Sequence, residues 1–330
     1  MAVRIKQIES GVAEFLNRIQ SSWNCHVPIY HATYPNVPPE LADGLHNVTP
    51  RSFKQQIEWY ARHFDIVPVD TLFLDKNPAG KVSITFDDAY QSIFDFALPI
   101  LIEMRVPSTV FIIGGSLTGK IFWRDKIRFL LNNGMAKNFI RYFGDRNSPL
   151  NSENFYKESK KPNFNSRLID QKLDSFLKEN DLSNHNPIDN YLINDRRNII
   201  RHPLICYGNH TFNHYVMPSL SSKEQYNEIK MTEDLLDDLE LNRSRIFALP
   251  FGGPHYIDTT TLNTINQFNF HGVLLNGKCI HRGKIKQFNN NFPFVWRYIA
   301  PTDLSNFHKK ILSYGIAPLR KSQPHSSVIN

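Results

Sequence analysis

The chain has 330 residues, 41% hydrophobic and 12% aromatic, with 38 Lys and Arg against 31 Asp and Glu for a formal charge of +7. That length and apolar content support a sizeable core in one large domain or two modest ones, and they exclude a disordered chain. The basic excess favours anionic partners without naming one: a membrane surface, a sugar nucleotide or a lipid-linked pyrophosphate would fit, and so would a merely solvated surface.

In chain order, residues 1–20 carry Ile5, Ile8, Val12, Leu16 and Ile19 at helical spacing, an amphipathic pattern that suits packing on the body of the protein more than lying on a membrane. The charges at Arg4, Lys6, Glu9, Glu14 and Arg18 leave no apolar core for a signal peptide. Next, "VPIYH" and "FDIVPV" read as strands flanking the helical "SFKQQIEWYARHF". "VSITF" and "STVFIIG" flank the helical "AYQSIFDFALPILIEM", whose most apolar part is too short to span a bilayer. From about Lys120 to Asn198 the composition turns to Asn, Lys, Asp and Ser, and we expect a helical insertion that begins with "WRDKIRFLLNNG". "RHPLIC", "RIFALPF" and "HGVLL" follow as strands, separated by helical segments such as "SKEQYNEIKMTEDLLDDLEL". Alternation of this kind implies parallel strands with crossover helices, without separating a barrel from an open sheet. The stretch from His308 has Lys309, Lys310, Arg320 and Lys321 but no Asp or Glu, and about 315–330 is expected to be a frayed tail. Three scattered cysteines, Cys25, Cys206 and Cys279, argue against a disulfide framework, and a cytoplasmic protein without a transmembrane segment is expected.

Chemistry concentrates at two places. In "KVSITFDDAY" a strand runs into two adjacent carboxylates, Asp87 and Asp88. One can be a helix cap, but like charges repel, so the second asks for a cation or an acid–base role. In "CYGNHTFNHYVMP", His210 and His214 are four apart, a spacing that on a helical turn would aim both imidazoles at one metal together with a carboxylate from another strand end. Alone, a histidine pair among 13 histidines is weak evidence.

"TFDDAY", "GNHTFNH" and "FALPFGGP", in that order, resemble the first three motifs of the polysaccharide deacetylase (NodB-homology) family of carbohydrate esterases, and "VPIYH" and "FALPFG" are similar to its surface-polysaccharide biosynthesis branch. The resemblance runs from "VPIYHATY" to about Asp303, outside the insertion. It implies an α/β fold, a distorted (β/α)7 barrel carrying the helical insertion within a single domain, and a divalent metal, zinc above others. Carried over residue by residue, it makes Asp87 the general base and Asp88, His210 and His214 the metal ligands. Thr211 would support the ligands, and Pro250 and Phe251 would form a groove wall whose Phe251 N–H faces the developing oxyanion. Ala89 stands where the family usually has glycine, a mild change for a negative φ. Ala248 replaces an arginine that orients the base. The late histidine that supplies the family's acid has no clear match, with His271 and His281 in the right part of the chain. Another acid is therefore needed: His31, at the end of the first strand, can point into the barrel mouth, where an ordinary pKa of about 6.5, or one raised by a carboxylate, would let it donate a proton.

The expected function is a metal-dependent hydrolase removing an N-acetyl or N-formyl group from a sugar, nucleotide-linked, lipid-linked or oligosaccharide intermediate of a surface glycan. Peripheral membrane contact stays open and no nucleic-acid partner is expected. The alternative is a sugar-binding scaffold of the same fold with impaired turnover, which would have no use for a proton acceptor beside its metal; a non-sugar amide hydrolase is a third reading.

Overall fold

A computed structural model describes residues 24–42, 44–75, 78–144, 150–180, 190–277, 281–282, 285–288 and 292–316. The N-terminal amphipathic pattern, Cys279 and nearly all of the expected tail lie outside the described residues.

Seven parallel strands close into a barrel: β1 Pro28–Tyr30, β2 Ile84–Phe86, β3 Ser108–Ile112, β4 Ile205–Asn209, β5 Arg243–Ala248, β6 Gly272–Asn276 and β7 Pro293–Ile299. Each pairs with the next, and β7 pairs back onto β1, with Tyr298 opposite Pro28 and Ile299 opposite Ile29. Strands covered on both faces read as nearly unbroken apolar runs, and β3, "STVFI", is buried at all five positions. Phe111, Ile246, Ala248, Leu274 and Val295 pack together with Val27 and Cys25 in one apolar cluster. Gly208 on β4 admits Phe111, whose ring would sit 2.5 Å from any Cβ there.

Helices cover the outside. Pro50–His63 starts behind Thr49, whose side chain accepts from the Ser52 N–H, and buries Phe53, Gln56, Ile57 and Tyr60. Ser222–Asp238 opens with a capping box between Ser221 and Glu224. Between β3 and β4 stand α-helices Trp123–Asn132, Ala136–Phe143, Phe155–Glu158 and Ser166–Glu179. The buried Lys126 ammonium, 2.7 Å from Asp170, ties the first of these to the last. The Tyr215 hydroxyl donates to the same carboxylate at 2.6 Å, which anchors this helical layer beside the 210–214 loop.

Two strand expectations fail together. "FDIVPV" contributes only Asp65–Ile66, paired outside the barrel with Lys81–Val82, because Pro68 has no N–H for a ladder and instead precedes the helix Val69–Leu74. The seventh barrel strand is "PFVWRYI", read by none of the sequence signals above.

Candidate functional site

Asp87 and Asp88 follow β2 in a tight turn closed by the Ala89 N–H to the Asp87 carbonyl at 2.9 Å. Asp88 and Ala89 both have left-handed φ, +69° and +66°. The Ala89 change is therefore not mild: a Cβ in this region costs about 1–2 kcal/mol. The turn is held from outside, since the Ile193 N–H donates to the Ala89 carbonyl and the Gln91 N–H to the Tyr191 carbonyl. Strain of this kind persists where surrounding structure over-determines it. Neither carboxylate caps the following helix; both are turned to other partners.

Asp87 meets Arg297, which projects from β7 and is fully buried. Its guanidinium donates to both carboxylate oxygens, Nη1 to Oδ1 at 2.8 Å and Nη2 to Oδ2 at 2.7 Å. Burial alone would raise the Asp87 carboxyl, but Arg297, followed by His210 and His31, holds it below the usual value. An arginine does orient this carboxylate, arriving from β7 while position 248 contributes its backbone.

That backbone fixes His210. The Ala248 carbonyl accepts from His210 Nδ1 at 2.8 Å, so Nδ1 carries the proton and Nε2 is bare. His210 Nε2 lies 3.5 Å from Asp88 Oδ1, and His214 Nε2 lies 3.5 Å from the same oxygen. The histidines converge through an irregular loop and not a helical turn, with left-handed φ at Thr211 and His214, and the Thr211 hydroxyl accepts from the His214 N–H at 3.0 Å. The His214 ring is clasped between Phe122 and Phe251, at 5.2 and 4.6 Å between centroids.

These three residues fit a divalent cation. Donors about 2.1 Å from one ion at tetrahedral angles stand about 3.4 Å apart, close to the 3.5 Å measured from Asp88 Oδ1 to each histidine. Asp88 Oδ1 is buried with no hydrogen-bond partner. Burial, then the charge of Asp87, pushes the Asp88 carboxyl well above its ordinary range, a penalty that a bound cation would reverse. Burial likewise lowers both histidines, leaving the neutral imidazoles that metal ligation requires.

His31 follows β1 and shares a cavity of about 200 Å³ with Asp87, Asp88, His210, His214 and Phe251, so the six sequence-expected residues come together. Its proton state differs from expectation. Burial, then His46, pushes the His31 imidazole below its ordinary value, and the nearby Asp87 does not reverse this. Part of the residue opens to the cavity, where water limits the depression. His46 Nε2 is 2.6 Å from the Ala300 carbonyl, which can only accept, so neutral His46 has a bare Nδ1. His31 Nδ1, 3.3 Å away, must then be the donor, and its Nε2 is bare and ready to take a proton. His271, in contrast, is exposed at the start of β6, and the His281 side chain lies outside the described residues.

Phe251 has a left-handed φ of +61°, and among the described residues its N–H donates to no acceptor. Asn276 lines the same cavity with a buried Oδ1 that has no partner. Sequence reasoning missed Arg297, His46 and Asn276. The first left a signal, a lone Arg within an apolar strand; the others left none.

A family model described as polysaccharide deacetylase matches residues 75–136 and 191–273, and so skips 137–190, which lies within the helical insertion. The poly-beta-1,6-N-acetyl-D-glucosamine N-deacetylase of Staphylococcus epidermidis is 35% identical over 79 residues, a match that spans 21% of this chain and 25% of that protein. Among solved structures, the Streptococcus pyogenes deacetylase PplD, in complex with acetate, superposes with a TM-score of 0.53 at 17% identity, covering 89% of this chain and 99% of that one. IcaB from Ammonifex degensii gives 0.51 at 14% identity, covering 89% and 98%. At these identities the structural likenesses speak for the shared barrel. Among the described residues no helix is long and apolar enough to cross a membrane.

Proposed function

We propose that this chain, which the polysaccharide deacetylase family model matches over residues 75–136 and 191–273, is a metal-dependent hydrolase that removes an N-acyl group, acetyl or formyl, from a sugar or glycan intermediate of surface-polysaccharide biosynthesis. The observation that carries the reading is the pairing of two differently prepared carboxylates: Asp88 with an orphaned oxygen 3.5 Å from the Nε2 of both His210 and His214, and Asp87 held by both ends of a buried guanidinium. A binding scaffold would have no use for the second.

Zinc suits two imidazoles and one carboxylate, and at Asp88, His210 and His214 it would supply Lewis acidity toward an acyl carbonyl and acidify water. Asp87 accepts the proton of the attacking water. Its bond to Arg297 fixes the carboxylate plane, while a carboxylate's four lone-pair directions leave capacity for that proton. Charge developing on the carbonyl oxygen is met by the Phe251 N–H. His31 takes on its bare Nε2 the proton that Asp87 removed from the water and delivers it to the departing amine, which returns both groups to their starting states, with its Nδ1–H held by His46 throughout.

The test is incubation of purified protein with N-acetyl- and N-formyl-hexosamine substrates and mass measurement of the product. Asp87→Asn should keep its metal and lose rate by at least about a hundredfold, the scale of general-base catalysis. A wild type that binds such sugars without releasing acetate or formate would establish the scaffold reading instead.

A further inference from the structure

The cavity that holds Asp87 and Asp88 is walled on one side by residues of the inserted segment, Arg124, Arg128, Tyr156 and Lys160. Arg124 is only 2% exposed, and among the described residues it forms no ion pair with a carboxylate. Its Nη1 donates to the Ser159 hydroxyl at 2.8 Å and its Nη2 to the Tyr156 carbonyl, both neutral acceptors. The guanidinium stacks on Trp123 at 4.7 Å and Tyr156 at 4.0 Å. Stacking fixes its plane and leaves its edges for hydrogen bonds.

Arg128 is also buried, and although Asp125 compensates its charge, its Nε has no hydrogen-bond partner. The Lys160 ammonium lies 5.8 Å from the centroid of the Phe251 ring, the same ring that packs on His214. Arg297 is spoken for by Asp87. The wall thus gathers positive charge, and the Arg124 guanidinium carries its share of it while buried and without a carboxylate partner, a costly arrangement. A neutral sugar would leave it uncompensated.

We propose that the inserted segment builds an anion subsite around Arg124, and that the acylated sugar this cavity receives carries a phosphate ester. The inference rests on the hydrolase reading above and narrows its substrate class. Arginine's planar fork matches phosphoryl oxygens, and Arg128 lines the same wall. Arg124 and Arg128 lie in the stretch that the family model matches, whereas Tyr156, Ser159 and Lys160, which hold and extend the subsite, fall in the stretch that it skips.

Calorimetric titration of the metal-loaded protein tests this without turnover, using glucosamine 1-phosphate, UDP-glucosamine and methyl glucosaminide as probes. Both phosphorylated ligands should bind at least about tenfold more tightly than the neutral glycoside, with an advantage that shrinks as salt rises. Tighter binding of the diphosphate than of the monoester points to a carrier-linked sugar, and equal binding to a free sugar phosphate. Arg124→Gln should remove most of the advantage. Arg124→Lys, which keeps the charge but cannot bridge Ser159 and Tyr156 together, should retain part of it. Metal content and melting temperature are measured alongside. Equal affinity for all three ligands overturns the proposal, and so does an advantage unchanged in Arg124→Gln, since the phosphate would then be bound elsewhere in the cavity. Preference for phosphate without hydrolysis of any acylated sugar would sink the hydrolase reading and leave the subsite standing; hydrolysis without preference would do the reverse.

Discussion

Arg297→Gln removes the group that both charges against and positions Asp87. The pair is almost fully enclosed, with side-chain exposures of 1% and 6%, and truncating one partner of a buried ion pair costs about 3–5 kcal/mol. Part of that cost is recovered if Asp87 takes up a proton. With the guanidinium in place the Asp87 carboxyl lies below its usual value, so the wild-type pair contributes stability above pH of about 3.9 that is lost as pH falls through the folded value. Without it, burial is left in control and the folded carboxyl rises above its unfolded value. The stability penalty of the variant should then be largest near neutral pH and should shrink on acidification. Turnover should fall by at least about a hundredfold, because a base that is neutral or rotated contributes little. Arg297→Lys keeps a charge but gives up the two-pronged grip, and should fall between the variant and the wild type. The assays are initial rates of amine release from pH 5 to 9, urea unfolding at the same values, and elemental analysis to show that metal is retained. A rate in Arg297→Gln within threefold of wild type, with metal present, would refute the assignment of Arg297 as the residue that holds the base.

Elemental analysis should find one equivalent of divalent metal in the wild type and essentially none in a His210→Ala, His214→Ala double variant; full occupancy there would place the metal elsewhere. His31→Ala should lower turnover by at least about tenfold with metal intact, and His46→Ala should do so by a smaller factor because it leaves the His31 tautomer unset; wild-type rates in both would return His31 to a structural role. Because the His31 imidazole is lowered, the wild-type rate should show no alkaline fall between pH 7 and 8.5 traceable to it, and such a fall disappearing in His31→Ala would contradict the neutral-imidazole assignment. Far from the site, fully buried His26 is pushed down to about 3 by burial alone. The unfolded chain binds that proton below about pH 6.5 and the folded one does not, so stability is lost on acidification at about 1.4 kcal/mol per pH unit. His26→Gln should flatten urea-unfolding stability between pH 6.5 and 5 relative to wild type, and parallel curves would overturn this.

What was legible in the sequence had its whole signal in a short window. Asp87 and Asp88 are adjacent, His210 and His214 are four apart, and apolar runs mark six of the seven barrel strands. The residues that prepare this chemistry come from far along the chain. Arg297 reaches Asp87 across 210 positions, and His46 is set by the carbonyl of Ala300 across 254. No local pattern says which residue such a group will meet, because barrel closure brings them together. The same closure explains why Ala248 at the third motif does not leave Asp87 unheld. All seven strands run parallel, so their C-terminal ends share one rim, and a long side chain from any of them can approach the point where Asp87 stands. β7 lies on the far side of β1 from β2, and the guanidinium spans that gap. The missed strand and the missed arginine are therefore one error: with "PFVWRYI" read as the seventh strand, its single charged residue would have demanded a buried counter-ion, and Asp87 and Asp88 were the unpaired candidates at the rim.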